Sequence, residues 1–197
     1  MMNVLILSRT QAVKRIFLTL AIVAAILVII TIVMGLSIGD ATKVDPAIQR
    51  SVSNHFLMGV EALFFCLIVH AISLTYFMGT GRWLEETSNA YSLGNSYYES
   101  SKKIKYGMLP GLTACVFLLI STAGLGAVAD PGTMTELGDP LGFSDAQIHF
   151  FFACLTAMIN VAVNFTQYIA ISKNSVVVEQ VLAEVRRIRE ERGLPVE

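Results

Sequence analysis

Four long runs of hydrophobic residues alternate with polar connections along the chain. They predict membrane-spanning helices near 15–36, 54–79, 107–128 and 147–171. An α-helix needs about 20 apolar residues to cross the hydrocarbon of a bilayer, and each run reaches that length. The first run exceeds the apolar part of a signal peptide and no cleavage-site pattern follows it, so we interpret it as a retained helix. The predicted fold class is all-α, an integral membrane four-helix bundle.

A fifth, amphipathic segment follows the last apolar run. Its apolar residues recur at helical spacing against a charged face. They are Val177, Val181, Leu182, Val185 and Ile188. We predict two parts, a transmembrane domain over 1–172 and a cytoplasmic C-terminal helix over 173–197 that lies on the membrane surface or on a partner.

Composition and charge support the membrane assignment and orient the chain. Hydrophobic residues make up 54% of it and charged residues 15%, against roughly 25% charged in soluble proteins. Of the 14 basic residues, only Lys43 and Arg50 fall in the connections that follow the first and third runs. The positive-inside rule therefore predicts cytoplasmic termini and a cytoplasmic 80–106 connection, in an inner or cytoplasmic membrane. The net charge of −1 gives no indication of nucleic-acid binding.

The second and fourth runs each carry a stripe of small and polar residues at helical spacing. The stripe of the second run is His55, Gly59, Ala62, Cys66, His70 and Ser73. That of the fourth is His149, Ala153, Thr156, Asn160, Asn164 and Gln167. In lipid such side chains pack against other helices, and an ionisable one marks a candidate site. We therefore predict that these two helices are neighbours through their stripes.

The two halves of the chain resemble each other at an offset of 94 residues. Asp45-Pro46 precedes His55 by the same interval by which Asp139-Pro140 precedes His149. This predicts two repeated helical hairpins related by an axis along the membrane normal. His55 and His149 are then at equal depth near the outer face. His70 lies roughly 22 Å deeper along its helix, and its repeat equivalent is Asn164.

Two imidazoles on facing helices can supply both axial ligands of a haem iron. In this respect residues 15–172 resemble, as a pattern, the four-helix haem-binding half of the cytochrome b subunits of quinol-oxidising complexes. Family members carry two histidines on each of the second and fourth helices, as His55-x14-His70 does here. The resemblance implies an outer haem b ligated by His55 and His149, with Asn164 at the place of the fourth histidine.

Small residues beside the predicted ligands belong to the same hypothesis. Gly59 and Ala153 lie one turn below the two histidines and leave room beside them. The resemblance implies that glycines of the first and third helices make room for porphyrin. Gly111 and Gly124 fit this role in the third helix, whereas the first has only alanines at depth.

Glu61 is the one acidic residue within the apolar part of the second run. It falls off the polar stripe, where a lipid-facing carboxylate costs about 2–3 kcal/mol on insertion scales. Three alternatives stay open: a protonated carboxyl, a hydrogen bond to another helix, or contact with a partner subunit. A role in proton relay or quinone binding is a further hypothesis.

Several functions compete on this basis. The first is an electron-transfer subunit with haem b, for which quinone is the candidate redox partner. The alternative is a non-catalytic structural or accessory subunit of a larger membrane complex, or a homo-oligomer. A metal site of Asp145, His149 and His55 is a third hypothesis. The chain shows no hydrolase or kinase motif, so a redox or accessory role is favoured over a self-contained enzyme.

Overall fold

A computed structural model describes residues 2–138 and 140–195, with side chains for 12–138, 140 and 142–195. All regular elements in this part of the chain are helical. The long helices are α1 (Met2–Ser37), α2 (Pro46–Tyr91), α3 (Ser96–Val128) and α4 (Asp145–Glu191). A short 3-10 turn, Pro140–Gly142, precedes α4.

All four helices contain a stretch long and apolar enough to cross a membrane. In α1 this stretch is Ala12–Ser37, and in the others the candidate spans the whole helix. The all-α prediction is thereby confirmed, and each of the four predicted spans lies in a helix that is long and apolar enough to cross a membrane. The chain has the helices of an integral membrane protein.

Helix starts follow from local capping. The Asp45 carboxylate accepts a hydrogen bond from the Ala47 amide at 2.7 Å, and Pro46 occupies the first helical position. In α4 the cap is different, because Ser144 and Gln147 form a reciprocal capping box. Pro140 opens the 3-10 turn rather than α4, and Asp139 lies outside the described residues.

The helices extend further than the apolar runs. α2 continues to Tyr91 and α3 begins at Ser96, so most of the predicted 80–106 connection is helical. Exposed ion pairs such as Arg82–Glu86, at 2.8 Å, join residues one turn apart and support the helix in this region. The chain reverses at residues 92–95, where Gly94 adopts a φ of 75° that glycine allows without strain.

The chain divides into two compact units, and each helix contributes a segment to both. The unit that contains all three histidines comprises Leu20–His70 and Gly111–Val163, and we call it the histidine unit. The other unit comprises three segments: the residues up to Thr19, residues Ala71–Pro110, and the residues from Asn164 onward. We call it the terminal unit.

In the terminal unit, α2 and α4 contact each other as parallel helices. The Asn174 amide donates to Thr80 Oγ1 at 3.0 Å and to the Tyr76 hydroxyl at 3.3 Å. Arg189 Nη1 donates to the Tyr91 hydroxyl at 3.4 Å. Partners are 94 to 98 positions apart in these bonds, and a nearly constant separation is what parallel helices produce.

The C-terminal part of α4 packs against the chain itself. α4 passes residue 172 without a break, and Val177 and Val181 form a buried cluster with Leu84 of α2. Partly buried side chains surround this cluster: Trp83, Leu93, Tyr97, Ile104, Val178 and Val185. The apolar face predicted to lie on the membrane or on a partner is thus covered at these positions by residues of the terminal unit.

Candidate functional site

His55 is held against α1 by a hydrogen bond to the backbone. Its Nδ1 lies 3.0 Å from the carbonyl oxygen of Thr31. A carbonyl oxygen only accepts, so Nδ1 carries the proton and Nε2 is left as the unprotonated nitrogen of the neutral ring. The carbonyl thus sets both the orientation of the ring and the nitrogen available to a ligand.

A glycine allows this close approach of His55 to α1. A Cβ added to Gly35 would lie 3.0 Å from His55 Cε1 and 3.4 Å from Nδ1. Contacts this short leave no room for a methyl group unless the ring moves. Gly35 lies within α1, which continues through it to Ser37.

His149 has the same relation to α3. A Cβ on Gly126 would lie 3.0 Å from His149 Cε1 and 3.4 Å from both ring nitrogens. The ring faces the backbone of Thr122, although its buried Nδ1 makes no hydrogen bond of ordinary geometry with the residues that the structure describes. His149 therefore has the same close contact with a glycine as His55. In the part of the chain that the structure describes, it lacks the hydrogen bond at Nδ1 that holds the His55 ring.

The two histidine rings lie next to each other. Their centroids are 6.2 Å apart and the ring planes meet at 76°. Both side chains are half-buried in the histidine unit. The two residues predicted to meet from their matching positions in α2 and α4 are therefore in contact.

Further along α2 and α4 from the histidines, polar residues of the two stripes also lie close to each other. Cys66 of α2 lies close to Asn160 of α4, and both side chains are buried. This pair, like the histidine pair, is separated by 94 positions. Thr156, also buried, lies 2.7 Å from the Thr122 hydroxyl of α3. Asn160 thus faces other helices, as the stripe predicts.

The small residues predicted around the ligands occupy varied environments. A Cβ on Gly59 would lie 3.7 Å from Thr31 Cγ2, and one on Gly111 would lie 3.6 Å from Val163 Cγ2, so both glycines face neighbouring side chains. Ala153 is half-buried. Gly124 has no neighbour within 4 Å of such a Cβ among the described atoms, so it faces open space.

The two candidate residues further along the stripes, His70 and Asn164, are buried. His70 is 1% exposed and lies at the end of the α2 segment of the histidine unit. Asn164 is 7% exposed and belongs to the terminal unit. Both are shielded from lipid, as expected for residues of the polar stripes.

The described residues contain no group of three or more histidine, cysteine, aspartate or glutamate side chains placed to hold a metal ion. The Asp145 carboxylate instead accepts long hydrogen bonds, at 3.4 Å, from the Leu137 amide. A three-ligand site of Asp145 with the two histidines is therefore not formed in this part of the chain.

Sequence reasoning missed the supporting residues on α1 and α3. They share the pattern Thr-x3-Gly, as Thr31 with Gly35 and Thr122 with Gly126. The two copies are 91 positions apart, so the offset of 94 that aligns the histidines does not align them. A search for paired small residues at helical spacing would have found them.

The site therefore consists of two adjacent imidazoles, each lying against a glycine, at corresponding positions of parallel helices. Below them lie a buried cysteine, amide and hydroxyls. No family model, curated protein or solved structure was found to match this chain.

Proposed function

We propose that the chain is a membrane electron-transfer protein of the b-type cytochrome kind, with His55 and His149 as the axial ligands of one haem. The observation that carries this proposal is the pairing of the two rings at 6.2 Å between centroids. The alternative ligand set predicted from sequence, with Asp145, has no such geometric support.

The spacing of the rings suits two ligands of one iron. A metal–imidazole bond is about 2 Å long and the ring centre lies roughly 1.1 Å from the nitrogen, so two rings on opposite sides of one ion have centres about 6 Å apart. The observed 6.2 Å agrees with this value. The centroids of two rings packed directly on each other are separated by similar distances. The residues that hold the rings therefore have to distinguish ligation of one iron from direct ring packing.

Those supporting residues favour ligation. A ligating histidine typically donates its second N–H to a carbonyl or carboxylate, which fixes the tautomer and the ring orientation. His55 does so through Nδ1 to the Thr31 carbonyl. Gly35 and Gly126 let both rings lie against their neighbouring helices. Close packing of this kind reduces the rotamer freedom that a ligand side chain must lose on binding.

A haem would supply a one-electron carrier within the membrane, and the chain's residues would hold it and exclude water. The apolar side chains of α2 and α4 around the histidines provide a low-dielectric surround. The Thr31 carbonyl orients the ligand nitrogen of His55, and Gly126 lets the His149 ring lie against α3. In this proposal quinone is the membrane-soluble redox partner that the cytochrome b resemblance implies.

We further infer the orientation and the repeat that accompany this function. Twelve of the 14 basic residues lie at the termini and in the 80–106 region, which puts the histidine pair near the outer face. Contacts between residues 94 positions apart, His55–His149 and Cys66–Asn160, support a parallel repeat about an axis between α2 and α4.

The test is an oxidised-minus-reduced absorption spectrum of the purified protein, expressed with haem available. The wild type should show the split Soret and α-band change of a six-coordinate b-type haem. His55→Ala and His149→Ala should lose the haem or leave it five-coordinate, and added imidazole should restore the six-coordinate spectrum.

His70→Ala is the matched control, because His70 lies roughly 22 Å further along α2 by helical rise. It should leave the spectrum unchanged. A wild-type protein without haem under these conditions would refute the proposal. So would an unchanged spectrum in either outer histidine variant.

A second candidate is an accessory subunit without a cofactor. The observation that favours it is Glu61, an exposed carboxyl within the α2 span. A colourless protein that co-purifies in fixed stoichiometry with other membrane subunits would support this candidate over the first.

A further inference from the structure

Glu61 lies on an outward face of α2 in the histidine unit. Its side chain is exposed. Leu57 and Phe64, each about one turn from Glu61, are exposed by 64% and 65%, and the adjacent Val60 is exposed by 49%. The carboxyl is therefore surrounded by a surface that otherwise suits hydrocarbon.

The position of Glu61 along the helix places it within the span. It follows His55 by six residues, or about 9 Å of helix. The carboxyl has no hydrogen bond or ion pair with any residue that the structure describes. Within the four predicted runs the one lysine or arginine is Arg15, at the edge of the first run. Placing a carboxyl in lipid without a hydrogen-bonding partner costs free energy. This face of α2 is therefore suited to contact with another protein molecule.

We propose that this face, defined by Leu57, Val60, Glu61 and Phe64, is the interface through which two copies of the chain associate in the membrane. A protonated carboxyl both donates and accepts, so two Glu61 side chains satisfy each other. Copies inserted with the same orientation have their Glu61 residues at the same depth. A two-fold axis then brings the same patch of each copy together.

A second copy fits this face better than a partner with a basic membrane residue. The carboxyl is self-complementary, and three flanking apolar side chains can pack across the same two-fold axis. A basic partner would have to bring its own cation into the hydrocarbon at matching depth, at additional cost. The proposal is independent of the haem, because Glu61 is not among the residues that support the histidine rings.

Cross-linking tests the geometry of the interface. Leu57→Cys and Phe64→Cys should each form a disulfide-linked dimer in membranes under mild oxidation. Phe117→Cys, on α3 and 70% exposed, is the matched control and should stay monomeric. The unmodified protein measures the background from its three cysteines, of which Cys66 and Cys115 are buried. Equal cross-linking at 57, 64 and 117 would overturn the proposal.

Substitution of Glu61 tests the hydrogen bond. In vesicles at fixed protein-to-lipid ratios, single-molecule photobleaching gives the monomer–dimer equilibrium. Glu61→Leu should weaken dimerisation about 3- to 20-fold, the range expected for interhelical hydrogen bonds in membranes. Glu61→Gln keeps a donor and an acceptor and should stay within about 3-fold of wild type.

Helix content by circular dichroism and elution in detergent serve to show that both variants fold. A wild-type chain that remains monomeric at high density in vesicles overturns the proposal. Equal dimerisation of wild type and Glu61→Leu does the same, because the carboxyl would then contribute nothing to association.

Discussion

At the scale of single residues, the two histidines differ in how firmly they are held. His55 has both a glycine against its ring and a hydrogen bond from Nδ1 to the Thr31 carbonyl. His149 has the glycine contact without a hydrogen bond of ordinary geometry at Nδ1. His149 can therefore adjust its position at lower cost than His55.

This difference predicts the effect of replacing each of the two glycines by alanine. Gly35→Ala should destabilise the protein by about 1–2 kcal/mol, because the hydrogen-bonded ring resists movement against an overpacked contact. Gly126→Ala should cost less, since the His149 ring is freer to shift. Thermal unfolding in detergent without added haem measures both, and the haem spectrum reports the accompanying displacement of the rings.

Gly124→Ala is the control for these variants, on the same helix as Gly126. Its Cβ would meet nothing within 4 Å, so the higher helix propensity of alanine should leave stability unchanged or raise it by up to about 1 kcal/mol. If all three alanine variants behave alike, the glycines do not act through the histidine rings.

At the scale of helices, the pairing of α2 with α4 organises both units. In the histidine unit the partners are His55 with His149 and Cys66 with Asn160. In the terminal unit the Thr80–Asn174 bond has the same separation of 94 positions. Within their apolar runs, α2 and α4 thus present small and polar stripes to each other and mostly apolar residues on their other faces. Such a contact is expected to specify which faces pair in lipid, where apolar residues do not discriminate.

The buried cluster of the terminal unit gives a prediction at this scale. Val181→Ala removes two methyl groups from a side chain that is 0% exposed and should cost about 2 kcal/mol. Val176→Ala, on the same helix at 52% exposure, is the matched control and should cost under about 0.5 kcal/mol. Chemical or thermal unfolding followed by circular dichroism measures both. Equal effects would mean that this part of α4 does not pack on α2 in the membrane-bound protein.

At the scale of the whole molecule, the distribution of charge predicts the orientation of the four spans. Basic residues cluster at both termini and in the 80–106 region, where α2 ends and α3 begins, whereas the 129–144 region has none. Positive segments stay on the cytoplasmic side during insertion. The histidine pair, near the starts of α2 and α4, is then close to the outer face.

Thiol labelling checks this orientation. Ser100 and Thr135 are both exposed, Ser100 in α3 and Thr135 in the 129–144 region. In intact cells an impermeant maleimide should label Thr135→Cys and should label Ser100→Cys only after permeabilisation. The parent protein, whose cysteines are buried or half-buried, gives the background. The reverse pattern would invert the topology and put the histidines at the inner face.

The sequence by itself determined the helical class, the four spans and the pairing of the two histidine stripes. Each of these depends on local periodicity, run length or residue type, which a single chain displays directly. The stripe of α2 and the stripe of α4 were visible because small and polar residues are rare within apolar runs. His55 and His149 could be matched for the same reason.

Only the tertiary structure decided how the rings are supported and where the helices end. Gly35 lies inside α1, where glycine is a poor helix former, and only the approach of His55 from α2 explains its presence there. The extension of α4 past residue 172 depends on burial of Val177 and Val181 against Leu84, which lies 93 positions earlier than Val177. Contacts between residues so distant along the chain form when helices pack, and local sequence patterns carry no direct record of them.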